Sequence, residues 1–235
     1  MTSLSFRVRK FSTDADAVAA IEFAIVVPFM LLLYIGGIEL ANGMAINVKV
    51  SATAHSVADM VTQNTSLSTA QMQNILTGAT AIMAPYPVSG SGGSSLLSVT
   101  VSEISSDANG TPTLRWSQSY NGTSFGPGRT SMAANGSYGA LTLPTSLNGT
   151  AGNANNPNNQ NDQVSFILSE VSYAYTPNLG FTMTGTVNLA DTDWLFPRCS
   201  TNSPTNSSGP AYYDVKYTAS TTTCTCIQHL QQKSC

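Results

Sequence analysis

The sequence predicts an α+β protein: a single N-terminal transmembrane helix continues as a stalk and leads into a small, mainly antiparallel β head. Three observations predict this class. A long apolar run lies near the N-terminus, an amphipathic helical pattern follows it, and alternating strand patterns separated by turn residues fill most of the remainder. We expect a basic leader at 1–17, a transmembrane and stalk helix at 18–63 and an extracytoplasmic head at 64–235.

The apolar run from Ala17 through Ile38 contains one charged residue, Glu22. At about 1.5 Å per residue this run is long enough to cross the hydrocarbon core of a bilayer. It is longer than the apolar region of a secretory signal, which favours a retained anchor reaching to about Ala41. The small-x-small sequence Ala41-Asn42-Gly43 keeps a cleaved, secreted form open, although the helical pattern continues through it.

The charges predict the orientation of this helix and the class of partner. Arg7, Arg9 and Lys10 precede the apolar run, and basic flanks favour the cytoplasmic side of a membrane. The N-terminus is therefore expected in the cytoplasm and the head outside it. Only 9% of residues are charged and the net charge is −3, so we expect no nucleic-acid partner.

Helical periodicity continues beyond the anchor. Apolar residues spaced by three and four extend the first helix to about Gln63. They are Ile46, Val50, Ala54, Val57 and Val61. A second helix begins after Ser68, which forms a capping box with Gln71, and it ends before Pro85 and Pro87. Its apolar face comprises Met72, Ile75, Leu76, Ala79, Ile82 and Met83.

The rest of the chain shows the two-residue alternation of strands. The alternating sets are Leu97, Val99 and Val101; Leu114, Trp116 and Tyr120; Val171, Tyr173 and Tyr175; and Phe181, Met183, Val187 and Leu189. Residues 107–110 form a predicted turn, and 211–218 add a possible short strand. An insertion rich in Asn, Gly and Ser lies around 121–163. The aromatic residues sit at strand spacing, so we expect them in the core rather than on a ligand platform.

The four cysteines, Cys199, Cys224, Cys226 and Cys235, lie in the last 37 residues. Outside the cytoplasm we expect two disulfide bonds. A bond between Cys224 and Cys226 would be strained, so we expect Cys199 to bond one member of that pair and Cys235 the other. Zinc is the alternative, but the spacing lacks a second close ligand pair and offers only His229, so no metal or other cofactor is expected.

The start of the anchor resembles a known family. The sequence Val18-Ala19-Ala20-Ile21-Glu22-Phe23-Ala24-Ile25-Val26-Val27-Pro28, after a short basic leader, is similar to the N-terminus of TadE-like pseudopilins, pilin-like proteins of the tight-adherence (Flp-type) pilus machinery. The close resemblance covers about 40 residues, Ala17 to Val57. The later hairpins resemble the family's variable extracytoplasmic part only loosely.

The resemblance implies a processing site and an assembly role. A prepilin peptidase would cleave between Ala17 and Val18, where the family usually carries Gly at the first position. Glu22 would become the fifth residue of the mature chain and pair with the new α-amino group, within an interface that includes Phe23 and Pro28. The implied partners are the membrane, other pilin-like subunits and inner-membrane pilus assembly proteins. The resemblance also implies a single-pass protein of the bacterial inner membrane with its head in the periplasm.

Other features of the sequence are weaker as functional signals. Asp191-Thr192-Asp193 is expected to be a solvated loop rather than a cation site. His55 is expected to be solvated or packed, with no carboxylate near it. Six Asn-x-Ser/Thr sequons occur, four of them Asn-Gly turns. They begin at Asn64, Asn109, Asn121, Asn135, Asn148 and Asn206.

The function classes follow from these patterns. The sequence has no P-loop, Gly-x-Gly-x-x-Gly or His-Glu-x-x-His motif, and its charges are sparse after residue 60, so an enzyme is not expected. The resemblance implies a non-enzymatic pilus component. The alternative is a membrane-tethered extracytoplasmic binding protein unrelated to pili.

Overall fold

A computed structural model describes residues 15–106, 112–134, 139–142, 165–177, 185–200, 215–217, 225–228 and 231–234. The chain divides into two compact units. The first comprises Met1–Ala45 with Thr176–Val187, and the second comprises Ile46–Tyr175 with Asn188–Cys235. The predicted α+β class is confirmed, because a long apolar helix precedes a small antiparallel sheet.

Helix α1 spans Ala15–Thr62 without interruption, which confirms the predicted helix to about Gln63. Its surroundings change along its length. In the first unit most of its large apolar side chains are exposed, whereas from Ile46 onward one stripe is buried. The buried stripe consists of Ile46, Val50, Ala54, Val57, Ala58 and Val61. The same helix is therefore apolar all round at its start and amphipathic at its end.

Strand β1 (Ser66–Leu67) connects α1 to helix α2 (Thr69–Met83). Ser68 is the N-cap of α2, and it makes the predicted capping box with Gln71 in both directions. The helix ends two residues before Pro85, as expected. Its buried side chains are Met72, Leu76, Ala79 and Met83, with Ile75 packed beside them.

Five strands form the main sheet, in the order β4-β3-β2-β5-β6. They are β2 (Leu97–Ser106), β3 (Pro112–Tyr120), β4 (Phe125–Pro127), β5 (Ser165–Tyr175) and β6 (Val187–Leu195). Strand β2 pairs antiparallel with both β3 and β5. The predicted alternating sets fall on β2, β3, β5 and β6, but β6 begins only at Val187. Phe181 and Met183 lie outside the described residues.

The two faces of this sheet have different chemistry. One face carries Leu97, Val99, Val101, Val171 and Tyr173, which share one core with the buried stripe of α1 and the buried face of α2. Tyr120 is also buried there, and Trp116 and Tyr175 pack against the same core. The aromatic residues are thus core residues, as predicted. The opposite face is polar along part of its length, because β2 and β5 bring Thr100 opposite Glu170 and Ser98 opposite Ser172.

Short strands complete the described chain. They are β7 (Cys199–Ser200), β8 (Lys216–Tyr217), β9 (Thr225–Gln228) and β10 (Gln231–Ser234). Strand β8 pairs parallel with β1 and matches the short strand expected within 211–218. Strands β10, β9 and β7 form a three-stranded sheet in that order. The turn expected at 107–110 lies outside the described residues, as do 143–164, most of the predicted insertion.

Candidate functional site

The first candidate site is the exposed apolar surface of α1. Its large apolar side chains are exposed along the first unit, from Val18 at 44% to Leu33 at 71% and Leu40 at 55%. None of its most apolar stretch is buried within the described part of the chain, and the helix is long and apolar enough to cross a membrane. Exposed apolar side chains around a whole helix are stable only in lipid or against other helices. The candidate transmembrane helix of the sequence is therefore supported.

Glu22, Phe23 and Pro28 all lie on this surface. Glu22 and Pro28 are exposed, and the ring of Phe23 is 70% exposed. Pro28 lies inside α1 without ending it. Because proline has no N–H, the carbonyl of Ala24 loses its helical hydrogen-bond donor at this point. The surface thus offers a carboxylate, an aromatic ring and a free backbone carbonyl within two turns.

Small residues interrupt the apolar surface and would allow close contact between helices. Ala20 and Ala24 are four residues apart and therefore share one face of α1, and both are exposed. A side chain added at Gly37 would meet nothing within 4 Å. Small residues at such spacing let the backbones of membrane helices approach one another.

The predicted processing bond, between Ala17 and Val18, lies in the first turn of α1, which starts at Ala15. The first four N–H groups of an α-helix have no partner within the helix. Opening this turn for a peptidase would therefore break few hydrogen bonds. No cleavage is tested by the geometry, and the site stays a prediction.

Glu39 is a charged residue that the sequence pattern did not single out. It follows Ile38 directly, at the end of the apolar run, and its side chain is only 2% exposed. A buried carboxylate is costly unless it is paired or hydrogen-bonded. Periodicity gave no sign of this burial, because the flanking residues Ile38 and Leu40 are both exposed.

In the second unit, two ion pairs connect α1 to β6 and the residues after it. Nδ1 of His55 lies 2.6 Å from Oδ2 of Asp193, and Arg198 pairs with Asp59. The backbone N–H of Arg198 also donates to the carbonyl of Thr62, at 3.0 Å. The expectation that His55 has no carboxylate nearby is wrong, because the fold brings together residues 138 apart in sequence.

The Asp191-Thr192-Asp193 segment is part of β6 and not a loop, which corrects the sequence interpretation. Its two carboxylates make different contacts. Oδ1 of Asp191 accepts the backbone N–H of Thr192, while Asp193 faces His55. Among the described residues, no group of three His, Cys, Asp or Glu side chains is placed to hold a metal ion.

A second candidate site is a polar cleft of about 510 Å³ in the second unit. Its lining includes Ser98, Thr100, Ser119, Ser172, Asn188 and Asp191. A buried ion pair forms part of its wall: Nε and Nη2 of Arg129 donate to the two carboxylate oxygens of Glu170 at 2.6 and 2.5 Å. Nη1 of Arg129 donates to the carbonyl of Gly139 at 2.7 Å. This guanidinium therefore fastens the segment after β4 onto the polar face of the sheet.

One member of this pair stands out in the sequence. Arg129 is the only basic residue between Arg115 and Arg198, in a segment of neutral side chains. A lone charge in such a segment is a candidate for a specific partner. Its partner Glu170 could not be identified in the same way, because the pair links residues 41 apart.

Side chains from β2 and β3 hold the segment that leads into β8. The N–H of Val215 donates to Oε1 of Glu103 at 3.1 Å, and Nε1 of Trp116 donates to the carbonyl of Val215 at 2.8 Å. Val215 is fully buried in the core, and the ring of Tyr217 packs 5.7 Å from that of Trp116. Both backbone groups of one residue are thus satisfied by side chains, which fixes this segment against the sheet.

The predicted cysteine and sequon sites are only partly described. Cys199 and Cys226 lie on β7 and β9, and Cys224 and Cys235 lie outside the described residues, as does His229. The disulfide bonds therefore stay a prediction. Asn121 makes the expected turn, because its Oδ1 accepts the N–H groups of Thr123 and Ser124. The sequons at 109, 135, 148 and 206 also lie outside the described residues.

Comparison with known proteins finds one family model that matches a segment of the chain. Residues 17–59 match the family model of TadE-like protein, which confirms the resemblance found in the sequence. TadE-like proteins form a family of pilus-assembly components rather than of enzymes, and the match covers 43 of the 235 residues. No curated protein and no solved structure matches the chain.

Proposed function

We propose that this chain is a non-enzymatic, pilin-like component (a pseudopilin) of Tad/Flp pilus biogenesis, held in the bacterial inner membrane by α1. The observation that carries the proposal is an overlap. The family match at 17–59 includes the part of α1 whose apolar side chains are exposed from Val18 onward. A surface of this kind is suited to lipid and to the helices of other pilin-like subunits or inner-membrane assembly proteins.

The orientation and domain division of the proposal follow from the charges. The leader at 1–17 is cytoplasmic, because its basic residues favour that side of the membrane. The helix at 18–63 crosses the membrane and continues as a stalk, and the head at 64–235 lies in the periplasm.

Within this proposal Glu22 pairs with a positive charge during assembly. Cleavage after Ala17 by a prepilin peptidase would give Val18 a protonated α-amino group. Residues at i and i+4 share one face of a helix, so Val18 and Glu22 are adjacent there. In lipid both charges are costly when alone, and pairing within one subunit or between two subunits lowers that cost. Phe23 and Pro28 belong to the same interface.

The test compares Glu22→Ala and Glu22→Gln with Glu22→Asp, which keeps the charge, in the native host. Removing a carboxylate makes an apolar helix easier to insert, so both neutral variants should remain in the membrane fraction. We expect them to release several-fold fewer sheared surface pili, while Glu22→Asp retains most of the output. Intact mass of the membrane form should show Val18 as the first residue.

Two results would contradict the proposal. Equal pilus output from all three variants would remove the assembly role of Glu22, and retention of Met1 in the membrane form would remove the processing step. Normal function after exchange of α1 residues 18–41 for an unrelated membrane helix would favour the second candidate function.

That second candidate is a membrane-tethered protein whose head binds a ligand without any pilus. The polar cleft beside Arg129 and Glu170 favours it, since hydroxyl, amide and carboxylate groups converge there. The two functions differ in where specificity lies. The binding protein depends on the head alone, whereas the pseudopilin depends on the exposed surface of α1.

A further inference from the structure

The polar cleft of the second unit lies over short side chains on one face of the main sheet. Thr100 on β2 lies opposite both Ser119 on β3 and Glu170 on β5, and Ser98 lies opposite Ser172. All five residues line the cleft. They alternate along their strands with core residues, so they belong to the face away from the core. Four of the five carry short hydroxyl side chains, which leave a depression that longer side chains would fill.

Two segments border this depression. The segment after β4 is fastened over the sheet by Arg129, which donates to Glu170 and to the carbonyl of Gly139. Strand β6, at the edge of the sheet, contributes Asn188 and Thr192, and both of these residues are exposed. The cleft has a volume of about 510 Å³. Sites for small molecules commonly enclose about 300–1,000 Å³, so this cleft has the size of a ligand site.

The charges of the lining disfavour an anionic ligand. Both carboxylate oxygens of Glu170 accept hydrogen bonds from Arg129, so the guanidinium in the described lining is already neutralised. Asp191 also lines the cleft and leaves one negative charge in excess. A carboxylate has about four lone-pair sites, so Glu170 can accept further hydrogen bonds from a ligand. The described lining therefore favours a ligand that donates hydrogen bonds and carries no negative charge.

The lining also disfavours an apolar ligand. Its described residues include no aromatic ring, and only Pro127 and Val171 are apolar and larger than alanine. An apolar ligand would remove water from the polar groups without replacing their hydrogen bonds, which is costly. Serine and threonine hydroxyls can each donate and accept. A ligand that itself carries several hydroxyl groups would satisfy them.

We propose that the polar cleft binds a neutral saccharide. Hydroxyl groups of the sugar donate to Glu170 and exchange hydrogen bonds with side chains from three strands, namely Ser98, Ser172 and Thr192. A sugar ring carries hydroxyl groups along its whole edge, which matches a lining whose hydroxyl groups are spread over neighbouring strands. The inference rests on the second candidate function for its premise that the head binds a ligand, and it names the class of that ligand.

The first experiment measures binding to the full chain in lipid nanodiscs, because alkyl maltoside detergents would themselves present a sugar. The probes are three neutral trisaccharides, maltotriose, cellotriose and chitotriose, and isothermal titration gives their Kd. We expect at least one of them to bind. The sulfated form of the tightest probe should bind at least tenfold more weakly, because the lining has an excess negative charge and its guanidinium is neutralised.

The second experiment changes the cleft itself. Ser172→Ala and Thr192→Val each remove one hydroxyl group, and each should weaken binding about fivefold, or about 1 kcal/mol. Ser172→Leu fills the floor of the cleft and should weaken binding more than tenfold. Thr186→Val is the matched control, because Thr186 is exposed just before β6 and does not line the cleft. Its Kd should equal that of the wild type. Thermal unfolding of each variant checks that the second unit remains folded.

Three results would overturn the inference. They are binding of none of the three trisaccharides, binding of the sulfated probe as tight as that of its neutral form, and equal affinity of Thr192→Val and Thr186→Val. Binding of the polyamine spermidine without any sugar would assign the cleft to cations instead. Failure of the proposed pilus role is measured separately, by the pilus output of the Glu22 variants. Failure of the tethered binding protein appears as loss of function when residues 18–41 are exchanged.

Discussion

Removal of Arg129 should destabilise the second unit far more than removal of an exposed arginine. The side chains of Arg129 and Glu170 are 4% and 18% exposed, and the guanidinium makes two hydrogen bonds to the carboxylate and one to the Gly139 carbonyl. Arg129→Ala leaves that carboxylate without its main partner in a poorly solvated position. Breaking a buried pair in this way costs about 3–5 kcal/mol. For 150–250 residues this corresponds to a loss of about 6–20 °C in Tm.

The assay is thermal unfolding of the full chain in detergent, followed by near-ultraviolet circular dichroism. Arg198→Ala is the matched control, because Arg198 also pairs with a carboxylate but is 60% exposed, and exposed pairs contribute at most about 1 kcal/mol. The double variant Arg129→Ala with Glu170→Ala should lose less stability than the two single variants lose together, because neither charge is left without its partner. Two results would refute the reasoning. One is a loss of Tm in Arg129→Ala no larger than that in Arg198→Ala, and the other is a loss of stability in the double variant equal to the sum of the two single losses.

Two further predictions concern the core of the same unit. Burial, with a smaller contribution from Tyr86, raises the pKa of Tyr173 above its usual value of 10.0. The neutral phenol is therefore favoured by folding, so stability is retained below pH 10 and lost as the pH rises through the higher folded pKa. In urea titrations, Tyr173→Phe should lower the free energy of unfolding by about 1 kcal/mol at neutral pH. Above pH 10 the free energy of unfolding of this variant should fall less than that of the wild type. An equal fall in both proteins would contradict Tyr173 as the origin of the pH dependence. A soluble fragment 44–235 should fold with cooperative unfolding, whereas 64–235 should not. The shorter fragment lacks the buried stripe of α1. Burial of four of those side chains contributes about 6–12 kcal/mol to stability, which is comparable with the free energy of unfolding of a whole domain, about 5–15 kcal/mol. Dispersed amide spectra of 64–235 would refute this.

The helices and central strands were predictable because their signals are local. The capping box of α2 involves Ser68 and Gln71, three residues apart, and it is present as predicted. The alternation of Leu97, Val99 and Val101 has a period of two and corresponds to a face buried in the core. In each case a pattern within one element decides which side chains are buried, so the sequence contains the whole signal.

The contacts of the site were not predictable by the same means. The pairs Arg129–Glu170 and His55–Asp193 join distant parts of the chain, and no periodicity relates their members. A strand at Asp191 and Asp193 was not predictable, because Asp is depleted in strands. Their strand conformation is supported instead by position beside β5 and by the ion pair to His55. Strand β1 has two residues, too few for any alternation.

The described structure also explains why one family match covers two different environments. Residues 17–59 include side chains exposed all round, such as Phe23, and side chains with no exposure, such as Val57. The helix pattern changes accordingly, from apolar on every face to a single stripe at Ile46, Val50 and Ala54. Substitutions on the two segments should therefore act differently. A polar residue at Phe23 would weaken contacts with lipid and neighbouring helices, whereas one at Val57 would disrupt the fold of the head itself. Burial in the core thus begins near Ile46, and under the proposed function assembly depends on the segment of the same helix that precedes it.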